Sequence, residues 1–154
     1  MTFNKIFTKF LAEKTDIFVN TSILLLRCMI GIILFSVGAG KLFGWFQGFG
    51  LEQTIKLYEQ VGISVPLIYL SVYTEFIGGS LLSIGLFTRP VLVAVFINML
   101  VATILSWPAG FFVTNGAVLP FTFLVCTVVL MISGPMHYSI DYIIVSKINK
   151  QNYL

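Results

Sequence analysis

Four apolar stretches, each close to the length needed to cross a bilayer, constrain this chain more than any other feature. They run over about residues 23–43, 66–87, 90–112 and 117–133. A hydrocarbon core of about 30 Å takes roughly 20 helical residues at 1.5 Å each. Lipid offers no hydrogen bonds to a bare backbone, so segments of this kind must satisfy their own N–H and C=O groups as helices. The expected fold is all-α, an integral membrane four-helix bundle forming a single transmembrane domain over residues 1–154. Composition points the same way: 58% hydrophobic against 10% charged residues, with a mean hydropathy of +1.00, leaves too little charge to cover a water-soluble domain. The apolar surplus must face lipid.

Breaker residues separate the stretches: Gly44, Gly48 and Gly50, then Thr88-Arg89-Pro90, then Pro108 with Asn115-Gly116, then Gly134-Pro135. Lys5, Lys9 and Lys14 ahead of the first stretch resemble the start of a secretory leader. That stretch is too long for a leader, carries Arg27 and is followed by three more, so it reads as a membrane helix. Orientation follows from Lys and Arg in the short flanks. Lys5, Lys9, Lys14, Arg89, Lys147 and Lys150 fall on one side, and Lys41 and Lys56 on the other. Six against two places both termini on the cytoplasmic side of a multi-pass membrane protein. Leu51, Ile55 and Tyr58 recur at helical spacing in the one long loop and read as a short amphipathic helix on the outer surface. Phe3, Ile6, Phe7, Phe10 and Leu11 form a similar stripe at the N-terminus, and Ile140, Ile143, Ile144 and Ile148 form one near the C-terminus. Anchoring at the interface is the expected role of all three.

Several functions are disfavoured. The net charge of +3 comes from scattered cations without interleaved stacking aromatics, so nucleic acid is not an expected partner. Cys28 and Cys126 lie far apart inside apolar runs, where a thiol is not activated. The sole histidine, His137 beside Met136, cannot assemble a haem or zinc ligand set, so no metal site is expected. Nucleotide-binding loops and nucleophile-base constellations are absent, and an enzyme acting on its own is not expected.

Chemistry must come from charges within the spans. Each costs at least about 2.5–3.5 kcal/mol at a helix centre and therefore needs a partner in the protein interior. Arg27, Lys41 and Glu75 qualify, with Glu75 nearest the bilayer middle. Arg27, Gly31, Leu34, Gly38 and Lys41 share one face of the first helix, and Glu75, Gly78, Gly79, Leu82 and Ser83 share one face of the second. Small residues let membrane helices approach closely. The two spans should therefore pack directly, with Glu75 between the two cations and Asn98 of the third span nearby. Two readings remain open. Glu75 is either the anchor of a structural ion pair, in a membrane scaffold or a lipid- or protein-binding module, or the carboxylate of a pocket for a small molecule or proton.

These residues together resemble the DoxX family of small bacterial membrane proteins. The first span's Arg27-Cys28-Met29-Ile30-Gly31 and Gly38-Ala39-Gly40-Lys41-Leu42 carry the likeness, as do Glu75-Phe76-Ile77-Gly78-Gly79 and Gly85-Leu86-Phe87-Thr88-Arg89. Gly134-Pro135-Met136-His137-Tyr138-Ser139-Ile140-Asp141 resembles the family's closing motif. The family usually has a basic residue where His137 stands and often a glutamate where this chain has Val118, Leu119 and Pro120, so a two-carboxylate mechanism does not carry over. The resemblance implies a four-helix fold and an accessory subunit of a quinone-linked oxidoreductase or of a membrane redox or stress-response complex. No covalently bound cofactor is implied; quinone is the expected ligand. Partner subunits or further copies of the chain are the expected partners, besides lipid. Glu75, Arg27 and Arg89 are the positions the resemblance favours for a site, with Lys41 next and Asn98 as their neighbour.

Overall fold

The computed structural model describes residues 15–114, 116–133 and 138–151, and those residues form helices joined by turns, with no strand among them. The N-terminal stripe Phe3 to Leu11, Lys5, Lys9, Lys14, Asn115 and the segment Gly134 to His137 lie outside the described residues.

Helix α1 (Thr15–Phe43) begins about two turns before the apolar run, because neither glycine nor proline interrupts Thr15 to Ile30. It stops at Gly44, whose positive φ of 73° is reached cheaply only without a side chain, and Gly44 N–H donates to Gly40 O at 3.0 Å. A tight knuckle follows, with Trp45, Phe46 and Phe49 exposed around Gly48. Gly48 sits so close to Gly40 that a methyl there would overlap the Gly40 backbone. Helix α2 (Gly50–Gln60) comes next. Its stripe of Leu51, Ile55 and Tyr58, joined by buried Thr54, turns inward rather than toward the membrane surface. The amphipathic pattern is therefore correct but its face covers the protein, while Leu57 and Val61 stay exposed.

Helix α3 (Val65–Ile84) starts with Pro66 in its first turn and contains one wide π-helical turn at Thr74–Gly78. It ends on Gly85, at φ 73°. Helix α4 (Thr88–Ser106) runs on through a 3-10 turn at Trp107–Ala109. Helix α5 (Val118–Ser133) and helix α6 (Ile140–Gln151) complete the described chain. Among the described residues, three helical segments are long and apolar enough to cross a membrane: Phe18–Phe43, Val65–Ile84 and Thr88–Ala109. At 16 residues α5 is shorter, about 24 Å at the usual rise.

Helices α1 and α3 run antiparallel and nearly touch along their backbones. A methyl on Gly31 would lie 2.7 Å from Ser83 N, one on Gly38 would lie 2.7 Å from Phe76 Cα, and one on Gly79 would lie 2.7 Å from Gly31 O. The expected small-residue seam is present, with one correction. Gly78 does not face α1; its open side meets Val91 and Val95 of α4 at ordinary contact distances of 3.5 and 3.7 Å. Beside the seam, Ile30 and Leu34 of α1 pack with Leu82 of α3, Leu92, Val95 and Met99 of α4 and Leu130 of α5. The exterior is apolar too, with Leu25, Ile32, Ile84, Ile104 and Ile132 all more than half exposed. So much exposed hydrocarbon on every helix is the surface of a protein solvated by lipid.

Candidate functional site

Lys41 lies in the last turn of α1 and Glu75 lies in the π turn of α3, and the close Gly38–Phe76 contact brings their levels together. Lys41 Nζ donates to Glu75 Oε1 at 2.7 Å. Burial differs within the pair: the lysine side chain is 21% exposed and the glutamate 6%. Glu75 is ten residues into α3, about 15 Å below its first turn. Lys41 reaches up toward water while Glu75 stays inside. Tyr58 of α2 places its ring 5.5 Å from Lys41 Nζ, so the inward face of α2 roofs the ammonium with a π cloud.

Asn98, midway along α4, completes the cluster. Ser71, one helical turn before Glu75 on α3, donates its hydroxyl to Asn98 Oδ1 at 2.7 Å. That bond turns the Asn98 amide so that Nδ2 faces Glu75 Oε1, at a long 3.5 Å. Glu75 Oε2 is buried and has no hydrogen-bond partner among the described residues. Unmet carboxylate oxygens in so apolar a setting are costly, and they mark sites that take a ligand or water.

The cluster forms the polar end of a cavity of about 530 Å³ between α3 and α4, roofed by Tyr58 and the Gly62 to Ser64 turn. Its walls are Leu67, Leu70, Ala94, Ile97, Val101 and Leu105, with Lys41, Ser71, Glu75 and Asn98 as the polar lining. This size and this mix of apolar wall with a few converging polar groups suit a small organic molecule. The π turn has a part in it: its extra backbone width lies at the acid, and such turns recur at functional sites.

Arg27 is not in this cluster, which corrects the expectation that Glu75 sits between two cations. Arg27 stands fourteen residues before Lys41, about 21 Å along α1, and the antiparallel register sets it opposite Gly85 rather than Glu75. There it is 4% exposed and Nη2 donates to Tyr138 O at 2.6 Å. Arg89 is exposed in the first turn of α4, nine residues and about 13 Å from Asn98. The structure therefore joins Lys41, Glu75 and Asn98 and separates Arg27 and Arg89 from them.

A second polar cluster surrounds Arg27. Asp141, in the first turn of α6, accepts from Phe87 N at 2.9 Å and Thr88 N at 2.8 Å, capping the start of α4. Its own N–H donates to Gly85 O at 3.1 Å. Ser139 caps α6 in turn, its Oγ accepting from Tyr142 N at 3.1 Å. Burial pushes the Asp141 carboxyl up, but hydrogen bonds from Thr88 and Phe87 and the nearby Arg27 charge outweigh it and hold the carboxyl below its ordinary range. These contacts clasp α6 onto the α3–α4 turn. Of the closing motif, Tyr138, Ser139 and Asp141 thus serve architecture; His137 lies outside the described residues.

Sequence reasoning passed over Ser71 and Tyr58 as lining residues, and named Asp141 in the closing motif without giving it a role. Ser71 was legible as a hydroxyl four residues before the buried acid; the closing motif marked Asp141 but not its partners, which are backbone groups more than fifty residues away. Cys28 rests with Sγ 3.6 Å from Ser83 O, and Cys126 is half-buried on α5, both unbridged.

These features define a class: an all-helical membrane protein whose first two long helices are zipped by glycine and joined by a buried ion pair beside a cavity. The DoxX family model matches residues 22–107, more than half of the chain and the stretch that holds the seam, the pair and the cavity. This chain belongs to the DoxX family. No curated protein and no solved structure matches it.

Proposed function

We propose that this DoxX-family protein is an accessory subunit of a membrane redox or stress-response complex and holds a quinone or similar small amphiphile beside Glu75. The observation that carries this reading is the cavity of about 530 Å³ with apolar walls and one polar end, formed by Lys41, Ser71, Glu75 and Asn98. A quinone has a polar ring and an apolar tail, which fit such a division of surface. In this reading the protein positions a molecule for partner subunits or for a further copy of the chain. In this reading α5 is a fourth, short span completing a four-helix bundle, and the Lys and Arg distribution puts both termini in the cytoplasm of a bacterial cell.

Saturable binding of a short-chain quinone or its reduced form to the purified chain in lipid nanodiscs tests the proposal. Native protein binds and Glu75→Gln, compared at equal folded fraction, binds the reduced form at least about tenfold more weakly, the loss expected for one hydrogen bond to a charged group. Equal binding by both proteins, or none by either, would remove the pocket from the account.

One observation favours a second reading. The 2.7 Å Lys41–Glu75 contact already neutralises both charges, as a scaffold needs for register alone. On that reading the chain docks lipid or other proteins, and the carboxylate variant changes stability without touching any ligand.

A further inference from the structure

The lining of the cavity divides by exposure. Ile68 and Glu75 are buried and Ser71 and Asn98 half-buried, and these form its inner wall. Leu67, Leu70 and Ile97 are more than half exposed and Val101 is nearly half exposed, though they line the same cavity. Helix packing explains the division. Helix α4 packs on the π turn and the second half of α3, where Gly78 meets Val91 and Val95 at 3.5 and 3.7 Å, and has little contact with Val65–Tyr73. On the outer side of the π turn the two helices part, bridged by the Ser71–Asn98 hydrogen bond at 2.7 Å. The gap is an open-sided groove.

The open side lies at bilayer depth. Leu70 is five residues into α3, about 8 Å from its start, and Ile97 is nine residues from Thr88 and twelve from Ala109, well inside its span. Hydrocarbon exposed at that level meets lipid rather than water. Toward the aqueous end, Tyr58 and the Gly62 to Ser64 turn lie across the groove. We infer, resting on the reading of the cavity as a ligand site, that its entrance is this lateral mouth between α3 and α4. A membrane-dissolved molecule inserts its polar head there and leaves its apolar tail in the bilayer. The cavity of about 530 Å³ then limits the size of the head and not the length of the tail. Long-chain amphiphiles fit as well as short ones.

Quinones of one head with a short, a medium and a long prenyl tail test it, each titrated against the full chain in nanodiscs with affinity expressed per mole fraction of lipid. On the native chain the affinities agree within about threefold, because the added tail stays in lipid before and after binding. Ile97→Trp places bulk in the mouth at a position that is more than half exposed and outside the core cluster. It weakens binding of the long-tailed quinone at least about tenfold with little change in unfolding midpoint. Native-like binding of that quinone by the folded variant puts the entrance elsewhere and overturns the inference. The comparison of tails on the native chain stands whether or not the variant folds: an affinity that drops steeply with tail length means an enclosed pocket and overturns the lateral mouth while leaving the ligand site. Saturable binding of a sulfonated, tailless head, which stays in water, means an aqueous entrance and overturns it too. Absence of saturable binding by every quinone overturns the ligand site as well, and leaves the groove to a helix of a partner or of a further copy.

Discussion

Adjacent glycines on α3 should respond oppositely to the same added methyl. Replacing Gly79 by alanine puts a carbon 2.7 Å from Gly31 O and 3.0 Å from Leu34 C. Non-bonded heavy atoms prefer about 3.5–4.0 Å, so the shortfall is about 0.5–1.3 Å against backbone that has no rotamer to change. Helices α1 and α3 must part by a comparable distance, and the seam at Gly31–Ser83 and Gly38–Phe76 opens with them. Overpacking of this kind costs about 1–3 kcal/mol, and backbone-to-backbone contact puts Gly79→Ala near the top of that range, about 3 kcal/mol. Gly78→Ala meets only Val91, Val95 and Thr74 side chains at 3.5–3.9 Å, which is ordinary contact. It should be neutral or gain up to about 1 kcal/mol from helix propensity. Thermal unfolding in one detergent, followed by tryptophan fluorescence, should place Gly79→Ala roughly 6–12 °C below native and Gly78→Ala at or slightly above it. Equal midpoints for the two variants, or a lower one for Gly78→Ala, would refute the packing argument.

Three other outcomes follow from the two polar clusters. Lys41→Met should cost more stability than Glu75→Gln, because it strands a carboxylate that is 6% exposed, whereas the lysine left by the second change is 21% exposed and can reach water; the unfolding midpoints of the two variants compare them directly. Gly85→Ala should lose about 2–4 kcal/mol in the same assay, since φ is +73° there and the new methyl would lie 2.9 Å from Arg27 Cζ. Asp141 is held below its ordinary range by Thr88, Phe87 and Arg27 against the opposing effect of burial. A carboxyl lowered by folding contributes fully above its unfolded pKa of about 3.9 and loses that contribution as pH falls through the lower folded value. Hydrogen exchange of α6, corrected for intrinsic rate, should therefore be flat from pH 7 to 5 and rise below about pH 4, with Asp141→Asn less protected throughout; a loss between pH 7 and 5 would contradict the assignment.

How much was legible in sequence divides along physical lines. Long apolar runs predict helices because lipid leaves the backbone no other partner, and Phe18–Phe43, Val65–Ile84 and Thr88–Ala109 match three of the expected stretches to within a few residues, apart from the polar extension of α1. Charges inside such runs must find each other, so Lys41, Glu75 and Asn98 were recognisable as a group. Arg27 was misplaced for a reason that local spacing cannot reveal. Sharing a helix face with Lys41 says nothing of level on the neighbouring helix, and the antiparallel register puts Arg27 beside Gly85 and the returning Tyr138. Helical spacing also put Gly78 and Gly79 on one face, yet within the described fold Gly79 meets α1 and Gly78 meets α4. The π turn is a backbone feature with no pattern of its own beyond an acid followed by two glycines. The stripe on α2 predicted an amphipathic helix correctly but assigned its apolar face to the membrane surface, because spacing alone does not distinguish a protein neighbour from lipid.

Photolabelling in nanodiscs distinguishes a ligand site between α3 and α4 from a merely lipid-filled groove. A quinone or hydroquinone carrying a photoreactive group, irradiated with the native chain and mapped by mass spectrometry, should label residues 67–75 of α3 and 94–105 of α4, the walls of the cavity. Excess unlabelled ligand should suppress that labelling. Labelling spread over lipid-exposed positions such as Leu25, Ile32 and Ile132, with no competable excess at the cavity walls, would contradict a ligand site there.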